Sequence, residues 1–332
     1  MKSVLLLVFI MMNVVGVRGQ DFAHVDFSIA DVMADRYDGY PLTDVHALAI
    51  NLTQSLRTDE EKFRAIYKWV CANIAYDYDL QLLDKEAKRK IKTNDGRIAW
   101  RKSFSVSVLK KLREQQKTVC TGYAYLVREL AAQVGIECKI IDGYCRNANA
   151  NIGGAGDPNH SWNAVRLHQK WYLCDPTWSS GYVDDTFNFV HRYDDAYFLP
   201  DPAVFIRNHY PIDTAWTLLH HSQSLTEFLR GPLLYKTAVQ YNVKPCIPAT
   251  FDVKVKKGER VLFEFRKGKE LTLTEVSFIV KGSFTSEIIP APVEQRDDGM
   301  CVTNYTFLKK GRFTVHVLIN GGYAFTYVVR VS

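Results

Sequence analysis

The stretch Lys117–Tyr144, KTVCTGYAYLVRELAAQVGIECKIIDGY, decides how the rest of the chain is read. After Cys120 its apolar residues recur at helical spacing to about Val134, and Gly135 stands where a left-handed C-terminal glycine is expected. Glu137–Cys145 then reads as a strand. Cys120 therefore begins a helix that leads into a sheet. A thiol at that place is a buried filler, half of a disulfide, or a nucleophile. The last is served by the position, because free N–H groups and the helix dipole favour negative charge on sulfur.

A cysteine nucleophile also needs an imidazole to take and return its proton, and the imidazole needs an acceptor on its other nitrogen. The chain offers both in order. His160 opens a strand over 160–167, a tight turn follows at His168–Lys170, and Trp171–Asp175 makes the next strand. Antiparallel pairing about that turn sets residue 160 opposite 176–178, so Asp175 lies at the same end of the sheet. Singly, each residue has a plainer reading: a core cysteine, a loop histidine, an aspartate that starts a turn before Pro176. His209 is a rival base; His160 is preferred because it alone precedes a strand leading to Asp175. The Gly/Asn-rich loop 147–159 is expected to border the cleft.

Upstream, Thr58 and Glu61 have the spacing of a capping box. The helix that follows carries Phe63, Ile66, Tyr67, Val70 and Ile74 on one stripe, with Cys71 beside it as core. A shorter helix is expected near Val45–Ser55. From Thr250 to Ser332 the pattern changes to period two, as in Val261, Phe263, Phe265 and Phe313, Val315, Val317, with glycine turns between, which predicts a β-sandwich.

Three segments, DEEKFRAIYKWVCANIAYD, TVCTGYAYLVRELAAQVGIECKIIDGY and NHSWNAVRLHQKWYLCDPTW, together resemble the transglutaminase-like superfamily of papain-like cysteine enzymes. The resemblance covers about residues 58–180. The following YFLPDPAVFIRNHYPIDTAWTLL is similar to the segment after the core in kyphoscoliosis-peptidase-like proteins and extends it to about 220. The resemblance implies an α+β, papain-like core followed by the β-sandwich. It implies Cys120 as nucleophile, His160 as base and Asp175 as orienter. Trp162, Trp178 and Gly122 are expected to line the cleft, the two tryptophans packing around this triad and Gly122 letting the helix start pack closely.

For the oxyanion, the Cys120 N–H is the first donor. The second is open among Gln115 and Gln116 on a papain-like pattern, Trp100 on a transglutaminase-like pattern, and Tyr76. The implied chemistry is acyl transfer on peptide or glutamine amides, with hydrolysis favoured over crosslinking. A binding scaffold that retains the fold is the rival from another class. No metal or organic cofactor is required: the sequence has no zinc-type cysteine spacing and no EF-hand-type loop.

The boundaries expected are a signal peptide at 1–19, a lead-in region at 20–57, a catalytic core at 58–220, a helical linker at 221–245 and the sandwich at 246–332. MKSVLLLVFIMMNVVGVRGQ has a basic start, a short apolar run and a small residue before Gln20, so a secreted or periplasmic protein with no transmembrane segment in the mature chain is expected. The formal charge of +6 is mild and does not suggest nucleic acid. It is uneven, however: residues 85–117 hold twelve Lys/Arg against three acids, an exposed basic stretch suited to an anionic cell-surface polymer. The remaining partner expected is a protein or peptide substrate. Seven cysteines leave at least one unpaired within a monomer, and Cys246–Cys301 is the bridge considered.

Overall fold

The structure, a computed structural model, describes residues 21–332 apart from 23, 147–157, 185, 270 and 283–285. The expected signal peptide and most of the 147–159 loop lie outside the described residues.

Three helices open the fold: α1 (Ser28–Arg36), α2 (Val45–Thr53) and α3 (Asp59–Asn73). The capping box starts α3 as its sequence requires: Glu61 N donates to Thr58 Oγ1, and Glu61 reaches back to the Thr58 N–H. Phe63, Ile66, Tyr67, Val70 and Cys71 are all buried. The Cys71 thiol donates to the Pro176 carbonyl at 3.3 Å, so its part is packing. Arg64 is buried on the same helix and donates twice to Asp31, at 2.7 and 3.0 Å, which ties α3 to α1.

Next come β1 (Ala75–Tyr76), α4 (Tyr78–Lys90), α5 (Asn94–Gln115) and β2 (Lys117–Thr118). β1 and β2 pair directly and in parallel, with Tyr76 opposite Thr118. The basic stretch is therefore a helical excursion between two neighbouring strands. Along α4 and α5 only Leu80, Val108 and Leu112 are buried. α6 (Cys120–Gln133) follows, and just beyond its end stands Gly135, whose φ of +77° favours glycine.

Strands β3 (Cys138–Cys145), β4 (His160–Leu167) and β5 (Lys170–Cys174) form an antiparallel sheet in the order β5-β4-β3-β8, closed by β8 (His209–Pro211). His168 and Gln169, at φ of +47° and +62°, make the two-residue hairpin turn between β4 and β5. Leu167 pairs with Lys170 and Asn163 with Cys174, so continuing the register sets His160 level with the residues just after Asp175. Between β5 and β8 run α7 (Pro176–Ser180), the hairpin β6 (Gly181–Val183) and β7 (Phe189–His191), and α8 (Pro202–Phe205).

After α9 (Leu225–Arg230) the chain enters two stacked sheets. They are built from β9 (Leu233–Leu234), β10 (Lys244–Ile247), β11 (Asp252–Val255), β12 (Arg260–Arg266), β13 (Val276–Lys281), β14 (Ser286–Pro290), β15 (Glu294–Gln295), β16 (Met300–Thr306), β17 (Gly311–Ile319) and β18 (Gly322–Val331), with the short helix α10 (Lys236–Gln240) between β9 and β10. One sheet has the order β10-β12-β16-β15 and the other β11-β18-β17-β13-β14. Phe263, Phe265, Phe278, Phe325 and Tyr327 fill the space between them, with Phe263 5.0 Å from Phe278 and 5.3 Å from Tyr327. Each such ring contributes roughly 2–3 kcal/mol by burial.

Two expectations are corrected here. The stretch 221–245 is no linker: β9 pairs with β18, and β10 begins at Lys244, so the sandwich starts about a dozen residues earlier than 246. Two-residue strands are too short to show a period. The cysteines are all thiols, and the Cys246–Cys301 bridge is absent. Those residues lie on β10 and β16 with β12 between them, roughly 9–10 Å apart at the usual strand spacing, beyond disulfide reach. Among the described residues, no helix is long and apolar enough to cross a membrane.

Candidate active site

Cys120 is the first residue of α6 and is partly exposed. A helix's first residues have N–H groups without intrahelical partners, and with the helix dipole this position favours negative charge on the sulfur. The turn is pressed against β2. A Cβ on Gly122 would lie 1.9 Å from Thr118 Oγ1 and 2.8 Å from Thr118 Cβ, so only glycine allows this approach. Gly122 is buried and fixes where Cys120 stands; it does not line the cleft.

His160 Nε2 lies 2.7 Å from Asp175 Oδ2. Asp175 is fully buried, and its other oxygen accepts from the Thr177 and Trp178 backbone N–H groups at 2.9 and 3.2 Å, capping α7. Proline at the first position of α7 fixes that start. Tyr67 pins the same corner: its hydroxyl meets Ser179 Oγ at 2.7 Å and the Asp175 carbonyl at 2.8 Å. The Asp175 carboxyl is held far below the usual range: burial opposes charge, but the two histidines around it prevail. Burial likewise opposes charge on His160, yet Asp175, Cys145 and a hydrogen bond with Cys120 hold its pKa well above the ordinary value. His160 thus joins Asp175 on one side to Cys120 on the other.

His209 reaches the same carboxylate oxygen. Its Nε2 is 2.9 Å from Asp175 Oδ2, and its Nδ1 is 2.6 Å from Asn208 Oδ1; a neutral ring with its proton on Nε2 accepts there from the Asn208 amide turned over, nitrogen for oxygen. The ring is fully buried, stacked on Phe205 at 4.1 Å and flanked by Trp178 at 4.6 Å. Burial, aided by the charge on His160 and opposed by Asp175, pushes its pKa down to about 4. Leading by strand to Asp175 therefore does not distinguish the two rings, since both bond it. What separates them is Cys120, which interacts with His160 and not with His209, and the opposite directions of their pKa shifts. His209 comes from β8, and neither spacing nor pattern marked it as a partner of Asp175.

Trp162 is fully buried and lies 6.1 Å from His160, while Trp178 is 5.8 Å from it and partly exposed. Both pack around the histidine; only Trp178 has surface to offer a cleft.

The four oxyanion candidates separate clearly. Trp100 Nε1 donates to Asp84 at 2.9 Å within the helical excursion, so this N–H is committed elsewhere. Gln116 is the left-handed C-cap of α5, and its amide donates to the Tyr40 carbonyl at 2.8 Å. Gln115 is the exposed last residue of α5. Tyr76 alone stands beside the thiol: pairing with Thr118 puts it across from the residue two before Cys120. Burial chiefly, then Cys120, Cys145, Tyr123 and Asp175, raise its pKa well above the ordinary value, so its hydroxyl keeps its proton and can donate.

His160, Asp175 and His209 also form the one group of three metal-ligating side chains found among the described residues, with ligand atoms within 4.8 Å of one another. Their 2.7 and 2.9 Å contacts are hydrogen-bond lengths, whereas two ligands on a tetrahedral zinc stand about 3.3 Å apart. The spacing fits shared protons.

Comparison with known proteins adds the family. Residues 46–176 match the profile of the transglutaminase-like superfamily. The chain carries a transglutaminase-like domain. Curated relatives include the kyphoscoliosis peptidases of Homo sapiens, 32% identical over 226 residues (67% of this chain, 30% of that protein), and of Mus musculus, 34% identical over 201 residues (60% and 27%). A Lim and transglutaminase domain protein of Caenorhabditis elegans is 25% identical over 205 residues (58% and 26%). The chain spans under a third of the length of each of these relatives.

Proposed function

We propose that this chain is a thiol-dependent acyl-transfer enzyme acting on polypeptide amides, with hydrolysis as its main outcome. The observation that carries the reading is His160 held between Cys120 and the buried Asp175. The Cys120 sulfur attacks the amide carbonyl carbon while His160 takes its proton. The tetrahedral oxyanion is met by the Cys120 backbone N–H and the Tyr76 hydroxyl. His160 then gives the proton to the leaving nitrogen, the C–N bond breaks, and a thioester remains. Water, deprotonated by the same ring, attacks the thioester; the C–S bond breaks and the thiol is restored. An amine in place of water would give a crosslink by the same steps. Asp175 holds the His160 ring in the orientation this requires. Two relatives named as peptidases support hydrolysis.

Export of the mature chain belongs to the same proposal, on the strength of residues 1–19. So does an anionic partner for the excursion: residues 77–116 carry eleven Lys/Arg against six acids, a net +5 of the whole chain's +6. Its binding to a sulfated polysaccharide should weaken steeply as salt is raised.

The test is mass spectrometry after brief exposure to iodoacetamide at neutral pH, wild type beside His160→Ala. Selective labelling of Cys120 that falls at least 10-fold in the variant is expected. Absence of labelling in folded protein with Cys120 reduced would overturn the enzyme reading and favour the scaffold.

A further inference from the structure

Two aromatic pairs lead outward from the thiol. Tyr76 faces Phe189 at 6.4 Å, and two residues farther along each chain Tyr78 stacks on Phe187 at 5.2 Å with the rings 10° from parallel. Tyr76 ends β1 opposite Thr118, so the inner pair adjoins Cys120. The outer pair is open to solvent, with Phe187 65% exposed, and Tyr182 on the same hairpin is 50% exposed.

The position of Phe187 is costly. It sits at the tip of the β6–β7 hairpin with φ of +64°, a left-handed conformation that a bulky side chain avoids and that asparagine or glycine adopts readily. Such strain persists only where the surrounding structure holds it. Hydrogen bonds brace the residues on either side of it. Asp184 accepts at one carboxylate oxygen from the Thr186 and Asn188 N–H groups, both at 2.9 Å, and Phe187 N donates to the Asp184 carbonyl at 3.0 Å. The fold thus holds a large apolar ring outward, one face on Tyr78 and the other bare. Packing within the chain does not explain this, since most of the ring buries nothing.

We infer that Tyr76, Tyr78, Phe187 and Phe189 form a subsite for an aromatic or large aliphatic side chain of the polypeptide substrate. The inference rests on Cys120 being the nucleophile. Strand residues advance about 3.3 Å each, so a ledge two ring pairs long serves a side chain within about two or three residues of the attacked carbonyl. The substrate's apolar residue lies against the bare face of Phe187 and reaches toward Phe189, which positions the amide over Cys120.

The experiment measures alkylation of Cys120 by four probes relative to iodoacetamide. Two are acetyl-Phe-Gly chloromethyl ketone and N-chloroacetyl-Gly-Phe amide, which set the aromatic residue on either side of the electrophile. The other two carry Asp in place of Phe. In wild type, one Phe probe should react at least 10-fold faster than its Asp counterpart, as one apolar side chain in a pocket allows. Phe187→Asn, which suits the left-handed backbone, and Tyr78→Ala should each cut that preference to about 3-fold or less. The inference is overturned if iodoacetamide labels Cys120 but neither Phe probe is preferred, or if the preference survives both variants. It is also overturned if light scattering shows a dimer that Phe187→Asn dissolves, since the ledge would then join two copies. Failure of iodoacetamide itself at Cys120 overturns the reading of the site, and the subsite with it.

Discussion

Replacing His209 with glutamine separates a hydrogen bond from a titration. In the folded chain the buried ring donates Nε2–H to Asp175 and stays neutral, with its pKa pushed down to about 4 by burial. An unfolded histidine titrates near 6.5. Between these values the unfolded chain binds a proton that the folded chain does not. Stability therefore rises with pH across this window and is lost as pH falls from about 6.5 to about 4. A gap of about 2.5 pH units at 1.36 kcal/mol each comes to about 3 kcal/mol, undiscounted because the ring is fully buried. Glutamine retains an N–H donor and does not titrate. At pH 7, His209→Gln should be less stable than wild type by about 1–2 kcal/mol, through lost stacking on Phe205. By pH 4 that deficit should vanish or reverse, a relative change of about 3 kcal/mol. Urea unfolding followed by fluorescence at pH 7, 6, 5 and 4 measures it directly. Carboxylates elsewhere act in both proteins and cancel in the difference. Parallel stability curves for the two proteins would refute the claim that His209 is held neutral against Asp175.

His160 carries the opposite sign: its raised pKa gives stability that is full below about 6.5 and lost as pH climbs through the folded value, so the cost of His160→Ala should shrink in alkali. Gly122→Ala should cost about 2–3 kcal/mol in urea unfolding, since the new Cβ meets Thr118, and Thr118→Gly in the same chain should recover most of it. Arg64→Met should lower stability by about 2–4 kcal/mol, measured by thermal unfolding, because buried Arg64 is bound twice to Asp31 and its guanidinium lies 4.9 Å over the Phe198 ring. Tyr76→Phe should slow turnover of any amide substrate by about 10²-fold with little change in iodoacetamide labelling, which forms no oxyanion; equal effects on both would remove Tyr76 from the oxyanion hole.

Much of the core was legible because it is written locally. The Thr58–Glu61 cap, the stripe on α3, the glycine that ends α6 and the two-residue turn at His168–Gln169 each depend on residues within a few positions of one another. With the turn located, the strand register brought His160 and Asp175 together by simple counting. The illegible parts are those set by distant pairing. His209 arrives on β8, which joins the sheet beside β3 rather than beside β5, so nothing near Asp175 in sequence announces it. The oxyanion candidates show the same failure. Gln115 and Gln116 are neighbours of Cys120 in the chain, but the left-handed cap at Gln116 turns that side chain toward Tyr40. Tyr76 is distant in the chain and is delivered by a strand of only two residues. A strand that short has no period to detect, and β9 escaped notice for the same reason.

The parallel pairing of β1 with β2 also bears on how such a chain tolerates change. Asp77 N donates to the Thr118 carbonyl at 2.7 Å and Ala75 N to that of Gln116 at 2.9 Å, so both roots of the excursion are clamped to each other. Beyond the clamp, α4 and α5 bury few side chains and are tied to the core at their base. Length added or removed out there alters mainly a loop-closure entropy, about 0.6 kcal/mol for each doubling. The excursion is a natural place for grafting: a tag, a second domain or a different charge pattern could be spliced between two positions that stay registered beside Cys120.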